Sequence, residues 1–303
     1  LYIAGHLEHK GFKVEFVDYQ IWQHCRRFDP DGFVTALGTP AAVVGISCMS
    51  NLLPFAILVA KALKAKHPDC TVVLGGVGPA PVARVVIEAF PWVDVVVDGE
   101  GELVMEDILR GDRRALPPRR QVQDLDTLKL PAYHLLDFSR YIPSRSMITS
   151  RGCPWKCTFC TEPDNFGSVR LRSVDSIVEE IELLHSMHAH TSFLFQDDIL
   201  PLNKRRFSKL LAAFRALSFP IEWKCFSRVD LMDESLMAEM AASGCVQIRY
   251  GIESGSNETL KRIRKGFEIE DAFRVTELST RHFASVHASF IWGYPFETVA
   301  QFE

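Results

Sequence analysis

Short β-rich apolar runs alternate with amphipathic stretches along nearly the whole chain, the pattern of a parallel sheet whose strands are joined by crossover helices. In the first half the runs are Lys13 to Val17, Ala42 to Cys48, Thr71 to Leu74 and Val93 to Val97. Between them Phe55 to Lys66 and Val82 to Phe90 read as helices, with Pro68 and Pro91 marking their exits. Residues 1–110 therefore read as a doubly wound α/β domain whose first strand is missing. The stretch 111–145 breaks the alternation with Pro117, Pro118, Pro131, Pro143 and several arginines, and is expected to be a solvated linker. From 146 to 303 the alternation resumes, with strands expected at Met147 to Thr149, Phe193 to Phe195, Ile221 to Phe226, Val246 to Gly251 and Val286 to Trp292. The helix Val174 to His188 sets Val174, Ile177, Val178, Ile181 and Leu184 on one face, as a helix laid against a barrel requires. This half reads as a partial (β/α) barrel lacking its last strand. The chain starts at Leu1 inside a helical stretch, Leu1 to Lys10, and stops at Glu303 in an apparent helix start, so it is expected to be truncated at both ends.

Composition narrows the partners. Charged residues make up 24% of the 303 residues and the net charge is −4, with no dominant block of one sign, which argues against a nucleic-acid stripe. No apolar run is long enough to span a bilayer, and the amino terminus shows no signal segment, so a cytoplasmic protein acting on a small molecule is expected. Eight cysteines, three of them between 153 and 160, fit reduced thiols that bind metal better than a disulfide framework.

A parallel barrel keeps its chemistry at the carboxyl ends of its strands. After the first barrel strand comes Ser150-Arg-Gly-Cys-Pro-Trp-Lys-Cys-Thr-Phe-Cys160, with the spacing CxxxCxxC. Three soft thiolates, Cys153, Cys157 and Cys160, suit a [4Fe-4S] cluster that keeps one iron open for another ligand. A structural zinc site wants a fourth ligand, which no neighbouring Cys or His supplies; three unrelated core cysteines are the other bland reading. The second strand ends in Phe195-Gln-Asp-Asp198, the third in Phe226-Ser-Arg-Val-Asp230, the fourth in Tyr250-Gly-Ile-Glu-Ser-Gly255 and the fifth in Gly293-Tyr-Pro-Phe-Glu-Thr298.

The cysteine spacing, with Phe159 just before the last cysteine, resembles the cluster-binding loop of the radical S-adenosylmethionine (SAM) superfamily. Gly251-Ile-Glu-Ser254 and Val169-Arg-Leu-Arg-Ser-Val174 also match that family, and the fifth strand end is similar to its Gly-x-Pro-Gly-Glu-Thr turn. That turn departs at Phe296, where a position needing positive φ would be strained. The resemblance implies that SAM chelates the open iron and is cleaved by the reduced cluster to a 5′-deoxyadenosyl radical. It implies Phe159 beside the adenine, Asp197 and Asp198 for the SAM amine, Arg228 for its carboxylate, and Glu253 and Ser254 for the ribose. An external reductant such as flavodoxin or ferredoxin is implied as well.

In the first half, Ser47 and Met49, Gly75 and Gly76, and Gly99 and Glu100 fall at strand carboxyl ends, where an open α/β sheet binds ligands. Together and in this order they look like the cobalamin-binding domain of cobalamin-dependent radical SAM enzymes, and cobalamin is expected there. His6 and His9 are expected at the surface rather than as cobalt ligands. The implied activity is methylation of an unactivated carbon. A tetrapyrrole-type radical cyclase or rearrangement enzyme is an alternative. A methylthiotransferase, with Cys25, Cys48 and Cys70 holding a second cluster, is another, and an iron–sulfur electron carrier is the non-enzymatic reading.

Overall fold

The computed structural model describes residues 1–22 and 28–302, and Cys25 lies outside them. The chain divides into two units, Leu1–Tyr141 and Ile142–Glu303.

The first unit runs α1 (Tyr2–His9), α2 (Tyr19–Trp22), α3 (Pro30–Leu37), β1 (Val43–Ser47), α4 (Leu53–Lys66), β2 (Thr71–Gly75), α5 (Ala83–Ala89), β3 (Val95–Val96) and α6 (Gly101–Leu109). The strands are parallel in the order β1-β2-β3, with Val43 opposite Thr71 and Ser47 opposite Gly75. Side-chain alternation on β2 and β3 explains why helices cover both faces. Val72, Leu74 and Val96 bury against Ala60 and Leu63 of α4, while Val73 and Val95 point the other way onto Val104 and Ile108 of α6. Lys13 to Val17 forms no strand. Phe16 and Val17 are exposed, and the alternating run has no sheet neighbour to pair with, which decides strand formation more than propensity does. His6 is buried rather than superficial, its Nε2 2.9 Å from Glu106 of α6. The proline-rich stretch after α6 is not a free linker up to residue 141. Val122, Leu125, Tyr133 and Phe138 are buried within this unit, and three short 3₁₀ turns take the place of longer elements.

The second unit opens with β4 (Arg145–Met147), β5 (Ser150–Arg151), α7 (Glu162–Phe166) and β6 (Arg170–Leu171). It continues through α8 (Val174–His188), β7 (Ser192–Phe195), α9 (Lys204–Ala216), β8 (Glu222–Ser227), α10 (Glu234–Ala242), β9 (Cys245–Glu253), α11 (Asn257–Arg262), α12 (Ile269–Ser279), β10 (Ser285–Phe290) and α13 (Val299–Phe302). Five parallel strands lie in the order β10-β9-β8-β7-β4, each new strand added beside the last, as in a barrel laid open. α8 starts where the Ser173 side chain accepts from Ser176 N and stops at Ala189 in the left-handed conformation, φ 52°. Phe195 of β7 and Trp223 of β8 pack on the Phe207 and Phe214 face of α9, forming the core behind the sheet. A two-stranded antiparallel pair, β5 with β6, closes the base of the cysteine loop, with Arg151 opposite Arg170.

Below this loop Arg172 is fully buried, bonded to Ile148 O at 2.8 Å and 2.5 Å from Glu180 of α8. Removing one partner of such a pair strands a charge. Glu180→Ala is expected to cost about 3 kcal/mol, read from urea unfolding of the full-length protein, and a loss under about 1 kcal/mol would contradict this role for the pair.

Candidate functional site

The chain leaves β4 and is turned at once into the cysteine loop. Asp197, at the end of β7 and 2% exposed, accepts hydrogen bonds from Thr149 N at 3.0 Å, Thr149 Oγ1 at 2.9 Å and Ser150 Oγ. Its carboxylate faces the β4–β5 turn, so its position argues against contact with the SAM amine. Gly152 follows with φ 84°, and a Cβ there would lie 3.0 Å from Ser168 O, so the loop's two ends meet only because this residue has no side chain.

Cys153, Cys157 and Cys160 are free, partly exposed thiols. Cys160 N donates to Cys157 O at 3.1 Å, and the neighbouring thiols add to the raised pKa of Cys153 and of Cys160. Burial pushes Cys153 up to about 11, and the charge of Asp198 adds to the rise. Among the described residues no three His, Cys, Asp or Glu side chains converge on a single ion. Three thiolates from one loop can each take a different iron of a cluster. The donor set is therefore suited to a [4Fe-4S] cluster with an open iron.

Asp198, next in the chain after Asp197, is exposed. Partial desolvation and the Asp197 charge nonetheless push it up to about 6. Glu162, at the start of α7, shares a hydrogen bond with Asp198 and is pushed up to about 7 by burial and by that neighbour's charge. Sequence patterning missed Glu162, because it follows the cysteine motif in a helix start rather than at a strand end.

The opposite wall is cationic and aromatic. Arg228, 3% exposed, forms a two-pronged pair with Asp230 at 2.9 Å, donates to Lys265 O, and stacks 4.6 Å over Trp155 of the cysteine loop. Its guanidinium anchors the loop rather than standing open for a ligand carboxylate. Thr158 N donates to Ile263 O at 3.1 Å, and Cys157 Sγ lies 4.0 Å from Arg264 O. Glu253, with φ 75°, pairs with Lys265 at 3.1 Å, and Ser254 caps the following turn through Ser256 N. Phe159 lies 6.2 Å from Tyr294, whose hydroxyl is buried and has no hydrogen-bond partner among the described residues. Phe296 does not carry the positive φ expected of it. Gly293 does, at 85°, and Phe296 stacks on Tyr294 at 5.5 Å.

In the first unit the β1, β2 and β3 ends meet side by side: Cys48 N donates to Gly75 O, and Val97 N to Leu74 O. Ser47 and Met49 are exposed at this edge, and a Cβ on Gly75 would meet only Val97 at 3.8 Å, leaving room for a ligand. Three of the expected cobalamin contacts have other work. A Cβ on Gly76, at φ 89°, would lie 2.8 Å from Cys48 O; one on Gly99 would lie 3.0 Å from the Arg119 side chain. Glu100 is buried with Oε2 accepting from Val122 N at 2.7 Å, tying down the segment after α6. Cys48 follows the end of β1 and Cys70 precedes β2, so they sit beyond opposite ends of a five-residue parallel pair, about 20 Å apart. They cannot share a second cluster.

A three-cysteine loop at the carboxyl edge of a partial barrel thus follows, in the chain, a doubly wound sheet with an open strand edge. Residues 147–303 match the model of the Radical SAM superfamily, and the chain belongs to that family. Residues 1–109 match the B12 binding domain. The chain is 30% identical over 302 residues to an uncharacterized methyltransferase of Pyrococcus horikoshii, covering 92% of this chain and 63% of that protein. It is 25% identical over 342 residues to the anaerobic magnesium-protoporphyrin IX monomethyl ester cyclase of Rubrivivax gelatinosus, covering all of this chain and 60% of that protein. The radical SAM methyltransferase TsrM from Kitasatospora setae, solved with tryptophan substrate and a SAM analogue, shares the fold with a TM-score of 0.79 at 19% identity. That match covers 99% of this chain and 65% of TsrM.

Cys157→Ala is expected to lower the iron retained after anaerobic reconstitution by at least about half, because two thiolates do not hold a cube of four irons. Iron retained at the wild-type level would remove the cysteine loop from cluster binding.

Proposed function

We propose that the full-length protein is a cobalamin-dependent radical SAM methyltransferase acting on an unactivated carbon of a small molecule in a reducing compartment such as the cytoplasm, with electrons from a flavodoxin or ferredoxin. The observation that carries the reading is the order of the chain: a B12 binding domain at 1–109 runs directly ahead of a radical SAM domain that holds the three-cysteine loop. Among the described residues no helix is long and apolar enough to cross a membrane.

When bound, SAM on the reduced cluster supplies a hydrogen-abstracting radical, and cobalamin supplies the methyl group to be transferred. The chain supplies placement. Cys153, Cys157 and Cys160 would hold the cluster, Phe159 and Tyr294 wall the cysteine loop, and Glu253 presents a carboxylate suited to ribose hydroxyls. Asp198, with Glu162 beside it, offers acceptors to an ammonium group. In the first unit Ser47, Met49 and Gly75 form the strand-end surface for the corrinoid. Gly76 and Gly99 shape the turns beneath it, and Glu100 braces them.

The cyclase relative, which covers the whole of this chain, keeps a second reading in play: hydrogen abstraction without methyl transfer. The two differ in products. A methyltransferase that uses SAM both as radical source and as methyl donor releases 5′-deoxyadenosine and S-adenosylhomocysteine in equal amounts, with the label of methyl-labelled SAM entering product. Substrate-dependent 5′-deoxyadenosine alone would select the cyclase reading. Gly75→Leu is expected to reduce cobalamin retained by the full-length protein several-fold while leaving iron content unchanged. Unaltered cobalamin would move the corrinoid away from this strand end.

A further inference from the structure

Lys265 lies in the turn after α11, away from every strand end, yet both of its polar ends reach the cysteine loop's surroundings. Its Nζ is 3.1 Å from Glu253 Oε1, with side-chain exposures of 6% and 10%. The ammonium also lies 5.8 Å from the centre of the Phe159 ring. At the other end, its carbonyl accepts from Arg228, whose guanidinium lies over Trp155 between Cys153 and Cys157. The neighbouring carbonyls of Ile263 and Arg264 face Thr158 N and Cys157 Sγ. Arg264 and Glu253 both hold positive φ, 59° and 75°. Two side-chain-bearing residues in this sparsely populated region persist only where the surroundings over-determine them.

We propose that Lys265 is a positioning residue for SAM: it fixes the Glu253 carboxylate on the ligand side of the cysteine loop and, through its carbonyl, ties that carboxylate to the Arg228–Trp155 stack. The ammonium takes Oε1, and among the described residues Oε2 carries no hydrogen bond, so one oxygen stays available to a ligand hydroxyl. Without the lysine, a nearly buried carboxylate loses its countercharge and turns toward water. That change removes the acceptor while leaving the three cysteines in place. The inference rests on the reading of this site as a SAM pocket.

The test is a double-mutant cycle on the full-length, cluster-reconstituted protein, with SAM affinity measured by equilibrium dialysis and iron content recorded for each variant. Lys265→Met and Glu253→Gln are each expected to weaken SAM binding by about 10-fold or more at unchanged iron. The double variant should bind no more weakly than Glu253→Gln, because Lys265 acts through Glu253. Since Lys265→Met alone strands a buried charge, the comparison of the double variant with Glu253→Gln stands even where the single variant does not fold. The inference is overturned if Lys265→Met binds SAM within about 2-fold of wild type, or if the double variant loses the product of the two single losses. Wild-type protein that binds no SAM would instead overturn the functional reading on which it rests.

Discussion

One buried carboxylate sets the position of everything at the cluster mouth. Asp197 gathers Thr149 N, Thr149 Oγ1 and Ser150 Oγ, so the chain leaving β4 is stitched to the end of β7 before the cysteine loop begins. A buried acceptor filled by several donors costs little, whereas the same carboxylate unfilled would be strongly disfavoured, so the turn has one stable arrangement. β5 and β6 then pair across the loop's base, and the glycine at 152 lets the returning strand pass close by. On the far side, Ile263 and Arg264 carbonyls and the Arg228–Trp155 stack hold the loop's crown. The cysteines are thus fixed from both flanks by groups that do no chemistry themselves.

The electrostatics of the mouth suit a cationic occupant. Three thiols, Glu162 and Asp198 crowd together, and burial with mutual proximity raises Cys153, Cys160, Glu162 and Asp198 above their ordinary values. The thiols of Cys153 and Cys160 therefore stay protonated until positive charge arrives, and metal binding then releases their protons. The cations nearby do not relieve this, because each is already engaged: Arg228 with Asp230, Lys265 with Glu253. Acidic groups and cations already paired thus both border the cysteine loop.

Much of this was legible in the sequence, for identifiable reasons. Val174 to His188 is a helix over that whole span because Ser173 caps it and its apolar residues fall at 3.6-residue spacing. Parallel strands place their carboxyl ends on one edge, so the cysteine, Asp-Asp and Gly-Ile-Glu-Ser segments could be brought together without knowing any side-chain direction. What the sequence could not give was that direction. Asp197 and Asp198 are adjacent, and alternation sends one into the β4 turn and the other toward the thiols. Arg228 and Glu100 stand at strand ends as expected but turn into the protein. Gly76 is explained by the approach of Cys48 O before any ligand is considered. Lys265 was invisible because it comes from a turn after a helix, a place strand-end reasoning never inspects.

The proposed function requires a three-thiolate cluster whose remaining iron is open to SAM. The most direct measurement is the electron paramagnetic resonance spectrum of the anaerobically reconstituted, reduced full-length protein before and after SAM is added. The account predicts the signal of one [4Fe-4S] cluster per chain whose line shape and g-values change on addition of SAM, because a new ligand enters the iron that no cysteine holds. A spectrum indifferent to saturating SAM would mean that all four irons are already ligated, and would contradict it.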